Sequence, residues 1–266
     1  MFHRTSTIRA LLVGAGATFA FGLGITAQSY ASTSTVIGLT GGAPLLATGQ
    51  AAVKTAGVSY AAWSSQQEDA GFDASQPLIA GLGLRTHLRF SLTIPLFTAA
   101  LYQTQDEAWM GGYSPTVTAA QVAAIHAIGG VAITNQGWSP AHPPTLAQLR
   151  AYPGDILSVD AYPSPNYPNA DIGPHVARMK AISAGRPVWA TIQICSKGNM
   201  TSGVVPTAAR EWKMAKAALN NGATGIFFFG GAYSQCFHTT HDRATGFNWS
   251  AWNHTVLPTI KRIRAY

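Results

Sequence analysis

Residues 186–231 read "RPVWATIQICSKGNMTSGVVPTAAREWKMAKAALNNGATGIFFFGG", and their organisation decides the fold. "PVWATIQI" (187–194) alternates apolar and polar side chains, the period of a strand with two unlike faces. "PTAAREWKMAKAALNN" (206–221) opens on Pro206, is rich in helix formers and stops at Gly222, as a helix does. "GIFFFGG" (225–231) is a second strand. Two strands joined through a helix are a parallel βαβ unit, because a crossover of that length cannot make a hairpin.

The pattern repeats outward in both directions. Strand-like runs stand at 35–40, 58–63, 85–92, 100–107, 131–136 and 156–162, and helical stretches at 44–56, 117–128, 174–184 and 249–264. The connection at 93–99 is too short for a full helix. Eight strands alternating with helices predict a single (β/α)8 TIM barrel. An open doubly wound sheet would carry a glycine-rich phosphate loop after its first strand, and "TGGAP" (40–44) lacks that pattern. No repeat, low-complexity tract or linker marks a second domain.

The first 31 residues stand apart. "MFHRTSTIR" is a basic leader, "ALLVGAGATFAFGLGI" an apolar run, and Ser29 and Ala31 are the small residues of a signal-peptidase site. The expectation is export, with cleavage after Ala31 and a barrel over 32–266. The apolar run holds four glycines and is shorter than a membrane span requires. Removing Arg4 and Arg9 takes the 17 basic residues to 15 against 10 acidic, a net +5. These charges are scattered apart from "KRIR" (261–264), read as the solvated end of a helix, so no nucleic-acid partner is expected. The two cysteines, Cys195 and Cys236, predict a disulfide in an exported chain. Its span of 236 − 195 = 41 residues would be worth roughly 3–4 kcal/mol.

Alternation sorts the strands by face. Leu157, Val159 and Ala161 face the helices, which leaves Ser158, Asp160 and Tyr162 inside. By the same rule Trp189, Thr191 and Gln193 face inward, as do Arg85, His87 and Arg89. In 100–107 the better phase puts Gln103, Gln105 and Glu107 inward. The interior is therefore expected to be polar, with Glu107, Asp160, Tyr162 and Gln193 at the carboxyl ends of strands, where such barrels build their sites. Glu211 is read as a solvated helix residue.

Two carboxylates converging on one pocket can cleave a glycosidic bond, one protonating the leaving oxygen while the other attacks the sugar or activates water. Aromatic residues at strand ends and in the loops beyond, including Trp63, Trp109, Tyr113, Trp138, Tyr162, Tyr167, Tyr233 and Trp249, suit sugar rings as a set. "QDEAW" (105–109), "DILSVDAYP" (155–163), "RPVWATIQ" (186–193), "PTAAREWKMAKAALNNGATGIFFF" (206–229) and "WSAWNHTVLPTIKRI" (249–263) together resemble barrel glycoside hydrolases. The resemblance covers roughly residues 100–264. It implies Glu107 as general acid and Asp160 as a second site carboxylate, with Asp106, Arg89, Trp63, Trp109, Gln136, Trp138, Tyr162, Gln193 and Tyr233 binding substrate or tuning the carboxylates. The large retaining clan of these barrels carries Asn-Glu on its fourth strand and a nucleophilic Glu on its seventh. Here stand Asp106–Glu107 and Gln193, and an amide cannot be the nucleophile. Asp160 must substitute, or a loop carboxylate such as Glu68, Asp69 or Asp242.

The expected function is a secreted, monomeric glycoside hydrolase acting on a poly- or oligosaccharide, with no cofactor, no metal and no membrane span. A carbohydrate-binding barrel with a degenerate site is the alternative. "FHTTHD" (237–242) groups His238, His241 and Asp242, yet no His-x-His pair ends the first strand, so a polar loop is expected there. No G-x-S-x-G elbow supports a serine esterase.

Overall fold

The computed structural model describes residues 34–40, 47–62, 85–89, 101–104, 107–137, 143–160, 171–194, 205–230 and 246–266, all within one compact unit, Ser32–Tyr266. For 85–89 the description is of the backbone alone. Eight parallel strands close into a barrel in chain order. They are β1 (Val36–Thr40), β2 (Tyr60–Ala62), β3 (Arg85–Arg89), β4 (Leu101–Gln103), β5 (Val131–Gln136), β6 (Ile156–Asp160), β7 (Val188–Gln193) and β8 (Gly225–Phe229). Closure is made by β1, which pairs with β2 on one side and along its whole length with β8 on the other.

Helices follow six of the strands among the described residues: α1 (Ala47–Thr55), α2 (Pro115–Ala127), α3 (Leu146–Arg150), α4 (Ile172–Ile182), α5 (Ala208–Asn220) and, after β8, α6 (Trp249–Ala251). The last runs through a π-helical turn (Trp252–Val256) into α7 (Leu257–Ala265). Side-chain caps set where they begin. Ser114 accepts from the Val117 amide with Pro115 at the first helical position, and Thr207 accepts from Arg210. Each such cap is worth about 1 kcal/mol. Helix α3 was not among the expected elements. Its signal is present in Thr145-x-x-Gln148, which forms a reciprocal capping box, but five residues are too few for a visible period.

The strands carry two cores. On the outer face Ile37, Leu39, Leu157, Val159, Val188, Ala190, Ile192, Ile226 and Phe228 pack against the helices, so the expected phases of β6 and β7 are those observed. Inside, Tyr60, Leu101, Ile133, Ile156, Trp189 and Phe227 form a separate apolar layer. The Trp189 and Phe227 rings stack at 4.9 Å between centroids, and Tyr60 lies 5.7 Å from Trp189. The expectation of a polar interior therefore holds only in part: this layer is aromatic and aliphatic, and the expected inward Ser158, Asp160, Thr191 and Gln193 are buried beyond it. Space for the stack comes from inward glycines. A Cβ at Gly225 would sit 2.6 Å from the Trp189 ring, and one at Gly38 2.3 Å from Phe227.

Strand β4 is shorter than the 100–107 expected. It ends at Gln103, and Glu107 stands in a turn. The chain termini of the barrel are tied by Arg264, whose guanidinium donates to the carbonyls of Thr35 and Gly57, each at 2.8 Å. The "KRIR" segment is therefore a solvated helix end with one arginine bonded to the residue that precedes β1, where the sheet closes. No helix among the described residues is long and apolar enough to cross a membrane.

Candidate active site

Above the aromatic layer, towards the carboxyl ends of the strands, the inward positions turn polar. Asn135 on β5, Ser158 and Asp160 on β6, and Thr191 and Gln193 on β7 are all buried, Asp160 at 4% and Gln193 at 3% exposure. Register binds them into one surface: Asn135 stands opposite Ser158, and Asp160 opposite Thr191. Gln193 stands opposite Phe229 of β8. On the other side β3 and β4 align Arg89 with Gln103.

Glu107 reaches this surface by a different route from the one expected. It is held in the left-handed region, at φ 48°, where residues other than glycine carry strain. The turn around it is tightly bonded. Its carbonyl accepts from Gly111 at 2.7 Å, the Ala108 carbonyl accepts from Tyr113 at 3.0 Å, and the Trp109 carbonyl from Gly112 at 3.1 Å. Two bonds fasten the turn to β5: the Ala108 amide donates to the Asn135 carbonyl at 3.1 Å, and the Trp109 amide to Gln136 Oε1 at 2.9 Å.

Gly137 shows where the Glu107 side chain goes. Counting on from inward Asn135, position 137 is the next to face the barrel axis. A Cβ at that position would lie 2.6 Å from both Glu107 Cδ and Oε1. The carboxyl therefore occupies the space that a side chain on β5 would fill. The β5–β6 register pairs residues 23 apart (Gln136 with Val159), so Gly137 is in line with Asp160. Adjacent strands are about 4.8 Å apart. The Glu107 carboxyl and Asp160 thus occupy neighbouring places in one layer at the barrel mouth, half-buried and buried respectively.

The remaining sequence candidates divide. Gln193 is inward and buried two residues beyond Thr191, the partner of Asp160, and Trp109 sits half-buried on the Glu107 turn. Gln136 pairs in register with Val159, on the outer face, and its side chain holds the turn. It positions Glu107 from behind. Arg89 ends β3, with its side chain outside the described residues. Asp106, Trp63, Trp138, Tyr162, Tyr233, Gln105, Cys195, Cys236, Glu68, Asp69, His238, His241, Asp242 and residues 1–31 all lie outside them. Among the described residues no group of three histidine, cysteine or acidic side chains could hold a metal ion. Asn135 and Gly137 were not singled out in the sequence, although the alternation in "VAITNQG" (131–137) places both inward.

Glu211 is not solvated. It is fully buried on α5 with Met214, Ala215 and Ala218, and neither carboxylate oxygen has a hydrogen-bond partner among the described residues. Burial holds its pKa well above the usual carboxylate range, against a smaller opposing pull from Arg210. The signal was the spacing 211, 214, 215, 218, which puts Glu211 on the apolar stripe of the helix.

No protein-family model matches the chain, and no curated protein matches it. Solved structures do. The YdjI aldolase from Escherichia coli K12 superposes with a TM-score of 0.52 at 14% identity, covering 87% of this chain and 86% of that one. An active-site mutant of Rhizomucor miehei β-1,3-glucanosyltransferase with laminaritriose gives 0.49 at 11% identity, over 73% of this chain and 86% of that one. A 2,3-dimethylmalate lyase of the PEP mutase/isocitrate lyase superfamily gives 0.45 at 14%, over 73% and 76%. At these identities the likeness speaks to the fold alone, and of the three only the aldolase exceeds 0.5. The chain is a barrel protein of the TIM type.

Proposed function

We propose that this chain is an exported glycoside hydrolase in which Glu107 is the proton donor and Asp160 the second catalytic carboxylate. What supports the reading is one juxtaposition: the Glu107 carboxyl fills the inward space over Gly137, in line with Asp160 on the neighbouring strand. Two carboxyl groups at such spacing can work on one glycosidic oxygen and its anomeric carbon. Glu107, half-buried at the rim, would protonate the departing oxygen. Asp160, beside it and buried, would attack the anomeric carbon or activate water. Asn135, Thr191 and Gln193 would supply neutral hydrogen-bonding groups for sugar hydroxyls. Export rests on the leader sequence of residues 1–31.

A second reading has its own observation. Gln193 occupies the inward end of β7, where the retaining clan that the sequence resembles has its nucleophile. If Asp160 does not take over that work, the barrel binds sugar without cleaving it. Reducing-sugar release from laminarin, barley β-glucan, arabinoxylan and bacterial cell-wall glycan separates the readings. The hydrolase reading expects release by the wild type and its loss in both Glu107→Gln and Asp160→Asn. Retention of a glycan without release favours the binding barrel, and release that survives both substitutions refutes the assignment.

A further inference from the structure

Positive charges that are scattered in the sequence are gathered by the fold. Helices α4, α5 and α7 follow β6, β7 and β8, and α5 packs against both of the others on the outside of the barrel. Together they carry eight lysines and arginines and a single acid, Glu211, which is fully buried. Contacts between the helices make the charges one surface. Trp212 of α5 meets Tyr266, at the end of α7, edge to face at 5.5 Å, and Lys216 Nζ lies 5.6 Å over the same ring. Arg262 is four residues before Tyr266 and shares its side of α7, as Lys213 shares that of Lys216 on α5. The Lys180 stem of α4 lies along Gly222, just beyond α5, where a Cβ would come within 3.2 Å of its Cγ. Lys180, Lys213, Lys216, Lys261 and Arg262 are all exposed.

A helix surface that is merely solvated gains from mixed signs, because opposite charges three or four residues apart attract and like charges repel. Lys213 and Lys216 are like charges at that spacing, and Asp171 caps the opposite end of α4. The helix dipole accounts for Lys180 and Arg262, each in a last turn, but not for the two lysines of α5, which stand before its last turn. Arg264, beside Arg262, bonds the Thr35 carbonyl just ahead of β1. The surface therefore lies towards the amino ends of the strands, away from Glu107 and Asp160 at the barrel mouth.

Dense negative charge spread along a line is what such a surface recognises. Four of the five cations are lysines, point charges that suit phosphate, rather than the forked arginines that match planar carboxylates. Among the described residues of these helices and their ends, Tyr266 is the one exposed large apolar side chain, so no apolar stripe is present to enter a membrane. We infer that the basic wall of α4, α5 and α7 is a docking surface for a linear phosphate-bearing polymer, which holds the protein while the barrel mouth stays open. The inference goes beyond the hydrolase reading and stands without it; export enters only in placing the polymer at the cell surface.

The test is fluorescence anisotropy of end-labelled long-chain polyphosphate titrated with the protein between about 50 and 200 mM salt. Wild type should bind, with affinity falling about 10- to 100-fold across that range. Lys213→Gln/Lys261→Gln removes two positive charges from the surface and should weaken binding about tenfold, with a salt slope shallower by about 1 to 2. Arg150→Glu lowers the net charge equally at an exposed position on α3 and should bind within about twofold of wild type. Equal weakening by the two variants would overturn the inference, since net charge alone would then be acting. A wild type that ignores polyphosphate would overturn it as well. So would binding of polygalacturonate, or of phosphatidylglycerol vesicles, as tight as that of polyphosphate, because the surface would then serve carboxylates or a membrane.

Discussion

Replacing Glu211 with glutamine should make the protein more stable at neutral and alkaline pH, and the gain should grow with pH. The carboxyl is fully buried, with no partner for either oxygen among the described residues, so burial raises its pKa in the folded state. The folded chain therefore binds this proton more tightly than the unfolded chain. Below the unfolded pKa, ordinarily about 4.3, both states are protonated and the group costs nothing through ionisation. As pH rises above that value, the unfolded state gains by ionising and stability falls, by about 1.4 kcal/mol per pH unit until the folded pKa is reached. At about 2–4 °C per kcal/mol for a domain of this size, each pH unit in that interval moves Tm by about 3–6 °C. The glutamine side chain has nearly the same shape and no proton to lose. Thermal melts of both proteins between pH 4 and pH 8 give a difference curve in which every other titrating group cancels. The difference should be small at pH 4 and widen steadily above it. A difference that stays flat with pH would refute the reasoning, because the carboxyl would then ionise equally easily in both states.

Other residues give sharper local tests. Gly137→Ala places a methyl where the Glu107 carboxyl now sits; the acid must move, and turnover should fall on the order of a hundredfold with Tm within about 3 °C of wild type. His175 is held at a pKa of about 4, chiefly by burial, with Asp171 opposing and Arg178 adding to the shift. Its neutral form is favoured in the folded state, so its contribution is complete above pH 6.5 and is lost as pH falls towards 4. His175→Gln should accordingly narrow the gap to wild type in acid melts, and a gap that widens on acidification would contradict this. Arg264→Ala removes both bonds to the Thr35 and Gly57 carbonyls and should cost about 1 kcal/mol, read as a lower urea midpoint at unchanged slope.

The barrel was legible because alternation and helix caps are local. Val188, Ala190 and Ile192 announce the outward face of β7 within one strand, and Pro206 and Gly222 bracket the α5 segment without reference to any neighbour. The interior was read less well. Trp189 and Thr191 share an inward face in the sequence, but only the stagger of the strands separates the apolar layer of Trp189 and Phe227 from the polar one of Thr191 and Asp160. Glu107 was assigned to the right surface through the wrong element. Continuing the period of β4 to residue 107 takes the chain to the barrel mouth on paper, whereas the strand stops at Gln103 and a left-handed turn delivers the carboxyl. No local pattern distinguishes these routes, because the space it enters belongs to Gly137, thirty residues later. Glu211 was misread for a related reason: its charge suggested solvent, while the spacing to Met214, Ala215 and Ala218 placed it against the sheet.

The central claim, that Glu107 and Asp160 act together on a glycosidic bond, is met most directly by sugar release from a glycan panel under single and double substitution. Wild type should cleave at least one glycan, Glu107→Gln and Asp160→Asn should each fall by two or more orders of magnitude, and the double variant should be little worse than either, as for groups that serve one transition state. Sugar release undiminished in either single variant would contradict the account.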